Sequence, residues 1–205
     1  MASVSLLMRT KSIRPRVLRF ASVLSRLLLL SSLLVTVSCA NHITPPSRPA
    51  QPVRVILLDH GRHPSLMLPR DGDEWARYSY GEWRWYAEGR AAIWRVFPTM
   101  LWPTKGTLGR QLLTVDDMVR VDFVRIHTFT VSSGRVDRLM RDLDTVFEAG
   151  REQARYNPDF RAEFVPHPRS YSLFNQSNKV MAEWLRDLDC DVRGPLLYST
   201  WRIVE

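Results

Sequence analysis

The first 38 residues carry six basic side chains, Arg9, Lys11, Arg14, Arg16, Arg19 and Arg26, and no acidic one. The basic stretch gives way to an 11-residue apolar run at 27–37, which closes on Val37, Ser38 and Cys39. This is the layout of a cleavable export signal. As a helix the run spans about 16 Å, short of the roughly 30 Å hydrocarbon core of a bilayer. Arg19 and Arg26 interrupt any longer span; the alternative is an uncleaved N-terminal anchor. Removing the leader leaves one soluble domain of about 150 residues, enough for one core but not two.

The formal net charge of the 205-residue chain is +8. Without the leader, 23 basic residues face 21 acidic ones, a net of +2. The basicity therefore belongs mostly to the export segment, and a nucleic-acid partner is not expected.

Two cysteines occur. Cys39 ends Leu34-Val35-Thr36-Val37-Ser38-Cys39, which resembles a bacterial lipobox with Thr36 where leucine is more usual. The resemblance implies lipidation of Cys39 as the first mature residue and attachment to a bilayer. Ala40 after it implies the outer membrane, with the domain facing the periplasm. The alternative is ordinary cleavage near Ser38 or Ala40 and a secreted protein. Cys190 then lacks an intrachain partner, so no disulfide is expected.

Pro45, Pro46, Pro49 and Pro52 stud an otherwise polar segment. Residues 39–52 therefore read as the lipidated cysteine and an extended tether, and 53–205 as the domain. Residues 53–58 are a near-continuous apolar run, as in a buried strand, and 65–68 resume after a break at His60 and Gly61. Residues 78–86 are aromatic-rich and read as a third strand, with Gly81 at a bulge or close approach. Residues 88–94 read as a short helix and 102–106 as a turn-rich connector. Val119, Val121 and Phe123 alternate with polar neighbours, then the phase slips to Val124 and Ile126, as in a bulged strand. Helical spacing marks 135–153, and a second helix starts near Ser177 with Val180, Met181, Trp184, Leu185 and Leu188 on one face. Strands followed by helices predict an α+β domain, a compact antiparallel sheet packed with helices.

Two places carry chemistry-bearing residues. Asp59-His60-Gly61-Arg62-His63 sets two histidines at a strand break. Their spacing of three is acceptable for zinc, but no second Cys/His cluster accompanies them, and neither a metal nor another cofactor is expected. Pro64 biases His63 to an extended conformation, and a strand-borne imidazole facing a cleft can serve as general base. The second place is Phe174-Asn175-Gln176-Ser177-Asn178. A nucleophile at a helix N-terminus gains from the dipole and from free N–H groups; alternatively Asn175 or Ser177 simply caps the helix.

The order His60-Gly61-Arg62-His63-Pro64-Ser65-Leu66, Tyr80-Gly81-Glu82-Trp83, Leu101-Trp102-Pro103-Thr104-Lys105-Gly106, then Asn175-Gln176-Ser177-Asn178 with Trp184-Leu185-Arg186, resembles the bacterial family called domain of unknown function 2459. That family runs His-Gly-Trp-His-Thr-Gly, Phe-Trp-Pro-Thr and Asn-x-Cys-Asn-x-Trp, a layout similar to circularly permuted papain-like proteins. Those are relatives of cell-wall amidopeptidases and of lecithin retinol acyltransferase. The resemblance implies a permuted papain-like cleft with His63 as base, Ser177 in place of the nucleophilic cysteine, and Glu82 or, second, Ser79 as the orienting residue. His60, Arg62, Asn175 and Trp83 would line it.

The departures matter. Serine replaces cysteine, and Pro64-Ser65 replaces Thr-Gly. A hydroxyl stays neutral and needs full general-base transfer in a site shaped for it. Cys190 lies 13 residues past Ser177, about 20 Å away along a helix, and cannot substitute. The expectation is a degenerate cleft in an envelope lipoprotein that binds a peptide, glycan or lipid. The alternatives are an active serine-dependent hydrolase or acyltransferase on an envelope amide or ester, and a purely structural envelope protein. Trp75, Tyr78, Tyr80, Trp83, Trp85 and Tyr86 could form a binding platform or simply pack. Arg62 and Arg84 could line a cleft or stay solvated.

Overall fold

The computed structural model describes residues 40–90, 102–114, 116–117 and 121–204. The chain divides into two compact units, Met1–Ser38 and Cys39–Glu205; the expected leader and Cys39 lie outside the described residues. In chain order the second unit contains β1 (Asn41–Thr44), β2 (Pro52–Asp59), β3 (Pro64–Pro69), β4 (Glu74–Glu82) and α1 (Trp83–Tyr86). Then come β5 (Thr104–Thr114), β6 (Arg125–Ser132), α2 (Ser133–Ala149) and a 3₁₀ turn (Arg151–Gln153). The chain ends with β7 (Arg155–Asn157), β8 (Ala162–Tyr171), α3 (Ser177–Asp187), β9 (Asp191–Arg193) and β10 (Trp201–Ile203).

Seven strands form one antiparallel sheet in the order β6-β2-β3-β4-β5-β8-β7, and β10-β1-β9 form a second, small one. The class is α+β, as the pattern predicts.

The apolar run of β2 is buried on both faces of the large sheet. Val55 and Leu57 join Leu66, Leu68, Ala76, Tyr78, Tyr80, Leu108 and Val165 in the main core, against α2 and α3. Ile56 and Leu58 point the other way, into a smaller cluster with Met67, Leu113 and Val121. Each such side chain contributes about 1.5–3 kcal/mol on burial. The period of two along β4 sorts Ala76, Tyr78 and Tyr80 to the helix-covered face and leaves Arg77 and Ser79 on the opposite one.

α2 covers the first face with Val136, Leu139, Leu143 and Phe147. It is also tied to the sheet through Asp144, which accepts from Tyr78 (2.6 Å), Arg110 (2.8 Å) and Arg70 (3.1 Å). Burial works to raise the Asp144 carboxyl, but these hydrogen bonds outweigh it and hold it below the usual carboxylate range. α3 covers the same face with Val180, Met181 and Leu185.

Several local expectations are corrected. The expected tether is not an extended spacer throughout: Asn41–Thr44 form β1, held by parallel pairing to β10 and antiparallel pairing to β9. Asn41 is fully buried, donating to the Tyr198 carbonyl and accepting from the Leu196 N–H. The aromatic run at 78–86 is not one strand. β4 stops at Glu82, whose carboxylate accepts from Trp85 N–H and opens α1. Residues 88–90 are not helical, and 91–94 lie outside the described residues. The segment 121–124 is not a strand; β6 begins at Arg125. The long helix ends at Ala149, where Gly150 leads into the 3₁₀ turn. β5 incorporates the end of the expected connector.

Candidate functional site

Asp59, at the end of β2, organises the break before β3. One of its carboxylate oxygens accepts from Gly61 N–H (2.8 Å) and from the Ser199 hydroxyl (2.9 Å). Arg125 stands 4.0 Å from the other oxygen. Gly61 takes φ +82°, a conformation that favours glycine, and His60 N–H donates to the His63 carbonyl at 3.0 Å. The turn fixes two imidazoles against each other, with ring centroids 4.6 Å apart and planes 18° from parallel.

Both rings face a cavity of about 690 Å³ on the sheet face opposite α3. Its walls include Ser65, Arg77, Ser79 and Gln111 from β3, β4 and β5, with Tyr86 and Phe160 closing over His63. Glycines let this wall close up. The Tyr86 ring sits directly on Gly81, where a Cβ would collide with it, and Ser79 Oγ would lie 2.6 Å from a Cβ at Gly109. The close approach expected at Gly81 is thus made by Tyr86.

His60 Nδ1 lies 2.6 Å from the Asp122 carbonyl and Nε2 lies 2.8 Å from Ser65 Oγ. A carbonyl only accepts, so Nδ1 carries the proton, Nε2 offers its lone pair, and the Ser65 hydroxyl donates to it. Burial and then the Arg77 charge lower the His60 pKa. Burial, His60 and Arg77 push His63 down to about 3. Both rings are neutral near pH 7.

Arg77 is a desolvated charge in the cavity wall, whose lining also includes Arg161, Asp122 and Asp159. It donates to the Phe160 carbonyl at 2.6 Å, and no carboxylate among the described residues pairs with it. Desolvation brings it down to about 10, leaving it cationic at neutral pH. Among the described residues no three His, Cys, Asp or Glu side chains gather as a metal site.

The residues expected to act together are not brought together. His63 stands on the cavity face, whereas Ser177 is the first residue of α3, on the helix-covered face, and hydrogen-bonds Tyr171. Ser177 is not even the cap: Gln176 is, accepting from Asn178 N–H at 2.7 Å. The sheet itself separates the two side chains, because β4 alternates the Tyr78 and Tyr80 rings toward α3 with Arg77 and Ser79 toward His63. Glu82 spends its carboxylate on α1 and lies outside the cavity. Ser79, the second choice for that role, does line it.

Of the expected binding residues, only His60 lines the cavity. Arg62 is exposed, as is Arg84. Trp83 is buried with Ala87, Ala162 and Phe164 and lies under the Lys105 ammonium, 4.1 Å from its ring centroid. Asn175 is a structural clamp, donating to Tyr80 OH (3.0 Å) and the Ser170 carbonyl (2.5 Å) and accepting from Arg169 (2.6 Å). Cys190 is in the main core, its thiol pushed up to about 12 by burial and Asp189.

Sequence reasoning missed Ser65, Arg77 and Gln111. A period-of-two assignment of β4 and β5 would have placed Arg77 and Gln111 on one face, and their register opposite each other follows from the pairing.

These features define an α+β domain with a polar cavity on the face of its sheet opposite α2 and α3. Compared with known proteins, the chain matches no family model, no curated protein and no solved structure.

Proposed function

We propose that this is a binding domain of the bacterial cell envelope, anchored through a lipid on Cys39, whose His60/His63 cavity holds the anionic group of a peptide, glycan or lipid. The observation that carries the reading is Arg77, a desolvated guanidinium with no carboxylate partner among the described residues. An unpaired charge withdrawn from water costs several kcal/mol, and a bound carboxylate or phosphate recovers that cost through charge-assisted hydrogen bonds. The two neutral imidazoles add polar lining without competing positive charge.

The hydrolase reading with Ser177 and His63 is not favoured, because a general base must reach its nucleophile and α3 lies on the other side of the sheet. The purely structural reading gives Arg77 only its hydrogen bond to the Phe160 carbonyl and leaves its charge unpaired by any carboxylate among the described residues.

Thermal melting in the presence of millimolar acetate, succinate, phosphate and phenylphosphonate tests the proposal. At least one of these anions raises the melting temperature of the wild type by several degrees, and Arg77→Met, which keeps the aliphatic stem, abolishes the rise. Equal stabilisation of both proteins, or of neither, rejects it.

A further inference from the structure

We infer that Ser65 is a nucleophile activated by His60, and that the cavity cleaves esters whose acyl portion carries a carboxylate or phosphate. This rests on the binding reading above for its substrate class but not for its chemistry. The Ser65 hydroxyl donates to His60 Nε2 at 2.8 Å, while His60 Nδ1–H is held by the Asp122 carbonyl at 2.6 Å. A hydroxyl, a base in hydrogen-bond reach and a third group that fixes the base's tautomer form the arrangement that activates serine. Here a backbone carbonyl does the orienting. His60 lies on the turn pinned by Asp59 and Ser65 on β3, so both atoms are held by rigid elements.

The surroundings agree with that role. Ser65 is almost wholly buried and lines the cavity wall beside His60. Ser79 follows Tyr78 on β4 as Ser65 precedes Leu66 on β3, and Leu66 pairs with Tyr78, which places a second hydroxyl across from Ser65 on the same wall. Arg77 is two residues before Ser79, a diagonal neighbour within reach of a long side chain. An acyl group bound with its anionic end on Arg77 therefore presents its carbonyl to Ser65.

In the reaction Ser65 Oγ bonds to the acyl carbon and its proton passes to His60 Nε2, the imidazolium remaining bonded through Nδ1–H to Asp122. The tetrahedral intermediate expels the alcohol, which takes the proton from Nε2. Water then attacks the acyl-serine, gives a proton to Nε2, and the expelled Ser65 oxygen recovers it. No redox partner or metal is required.

The test uses the exported, full-length mature protein and a biotinylated fluorophosphonate, which loses fluoride when a serine oxygen bonds to phosphorus. Labelling is expected in the wild type, falls at least tenfold in Ser65→Ala and in His60→Gln, and persists in Ser177→Ala. p-Nitrophenyl hemisuccinate is hydrolysed at least tenfold faster than p-nitrophenyl acetate, and Arg77→Met removes that preference. Each variant's melting curve reports whether it folds, and Ser65→Cys, the conservative change, gains reaction with iodoacetamide. Labelling that survives in folded Ser65→Ala, or is absent from the wild type, overturns the proposal. Anion-dependent melting that persists in Ser65→Ala while labelling is absent would leave the binding reading standing and remove only catalysis.

Discussion

The His63 ring stacks on the His60 ring at 4.6 Å while its other side meets Tyr86 and Phe160 edge-on, at 5.3 and 6.1 Å between centroids. A proton on either imidazole would sit beside the other ring and within the field of Arg77. Burial first and then the Arg77 charge lower the His60 pKa, and burial, then His60 and Arg77, lower that of His63.

The depressed histidines make stability depend on pH with a definite sign. In the unfolded chain His63 titrates near its ordinary value of 6.5; in the native state it does so at about 3. Between those values the unfolded chain binds a proton that the native one refuses. Stability is therefore complete above pH 6.5 and drains as pH falls toward about 3, at up to about 1.4 kcal/mol per pH unit for this one group. His63→Phe, which keeps an aromatic ring in the stack, should flatten the dependence. Urea midpoints measured from pH 7.5 to 4 check this, and a variant with the wild-type slope would refute it.

Asp144 ties α2 to β4, to β5 and to Arg70 in the turn between β3 and β4, and its loss should be costly. Asp144→Ala leaves the Tyr78 hydroxyl without its acceptor and deprives Arg110, whose side chain is only 12% exposed, of its closest carboxylate. Removing one partner of such a largely buried group costs about 3 kcal/mol. Arg110 keeps Glu148 at 3.0 Å and the Phe147 ring at 3.8 Å, so the protein still folds. Chemical denaturation of the variant should show a lowered midpoint with an unchanged slope. A shift below about 0.5 kcal/mol would mean that the network contributes no more than an exposed ion pair.

Much of the architecture was legible because apolar periodicity reports burial. The run at 53–58 became β2, 65–68 became the interior of β3, and Val136 to Phe147 and Val180 to Leu185 kept their helical faces. β5 was not legible. Its glycines and polar residues mask the strand, and the reason for them is tertiary: a Cβ at Gly106 would strike the Arg169 carbonyl and Tyr80, and one at Gly109 would strike Phe164 and Ser79. The aromatic run could not reveal that Glu82 ends a strand by capping the next turn.

At the site, the histidine pair stood out because it broke an apolar run. Ser65 did not, since a serine inside a strand carries no pattern of its own. Its pairing with His60 depends on the turn at Gly61 and on the Asp122 carbonyl, 62 residues away in sequence from the His60 ring it holds. The coupling of His63 to Ser177 failed for a related reason: sequence order does not say which face of a sheet a helix will cover.

Ser177→Ala therefore becomes a discriminating control. Ser177 is buried and bonded to Tyr171, whose hydroxyl is pushed up first by burial and then by Glu82. Its removal should cost about 1 kcal/mol, the worth of one hydrogen bond. Anion-dependent melting should be untouched, because the cavity lies across the sheet. Loss of that response in a folded Ser177→Ala protein would mean that α3 shapes the ligand site after all.

The last prediction concerns the membrane. β1 starts at Asn41, so only Ala40 separates Cys39 from a buried strand residue, and two residues reach at most about 7 Å. If Cys39 is acylated, the domain sits against the lipid surface and not on a proline spacer; the prolines instead connect β1 to β2 within the fold. Metabolic labelling with a palmitate analogue should mark the wild type and miss Cys39→Ala, which should also move from the membrane to the soluble fraction. A ten-residue Gly/Ser insertion after Ala40 should leave acylation and melting intact while exposing the new segment to protease. Acylation that persists in Cys39→Ala would remove the anchor from the reading, because the lipid on Cys39 is the only attachment it invokes.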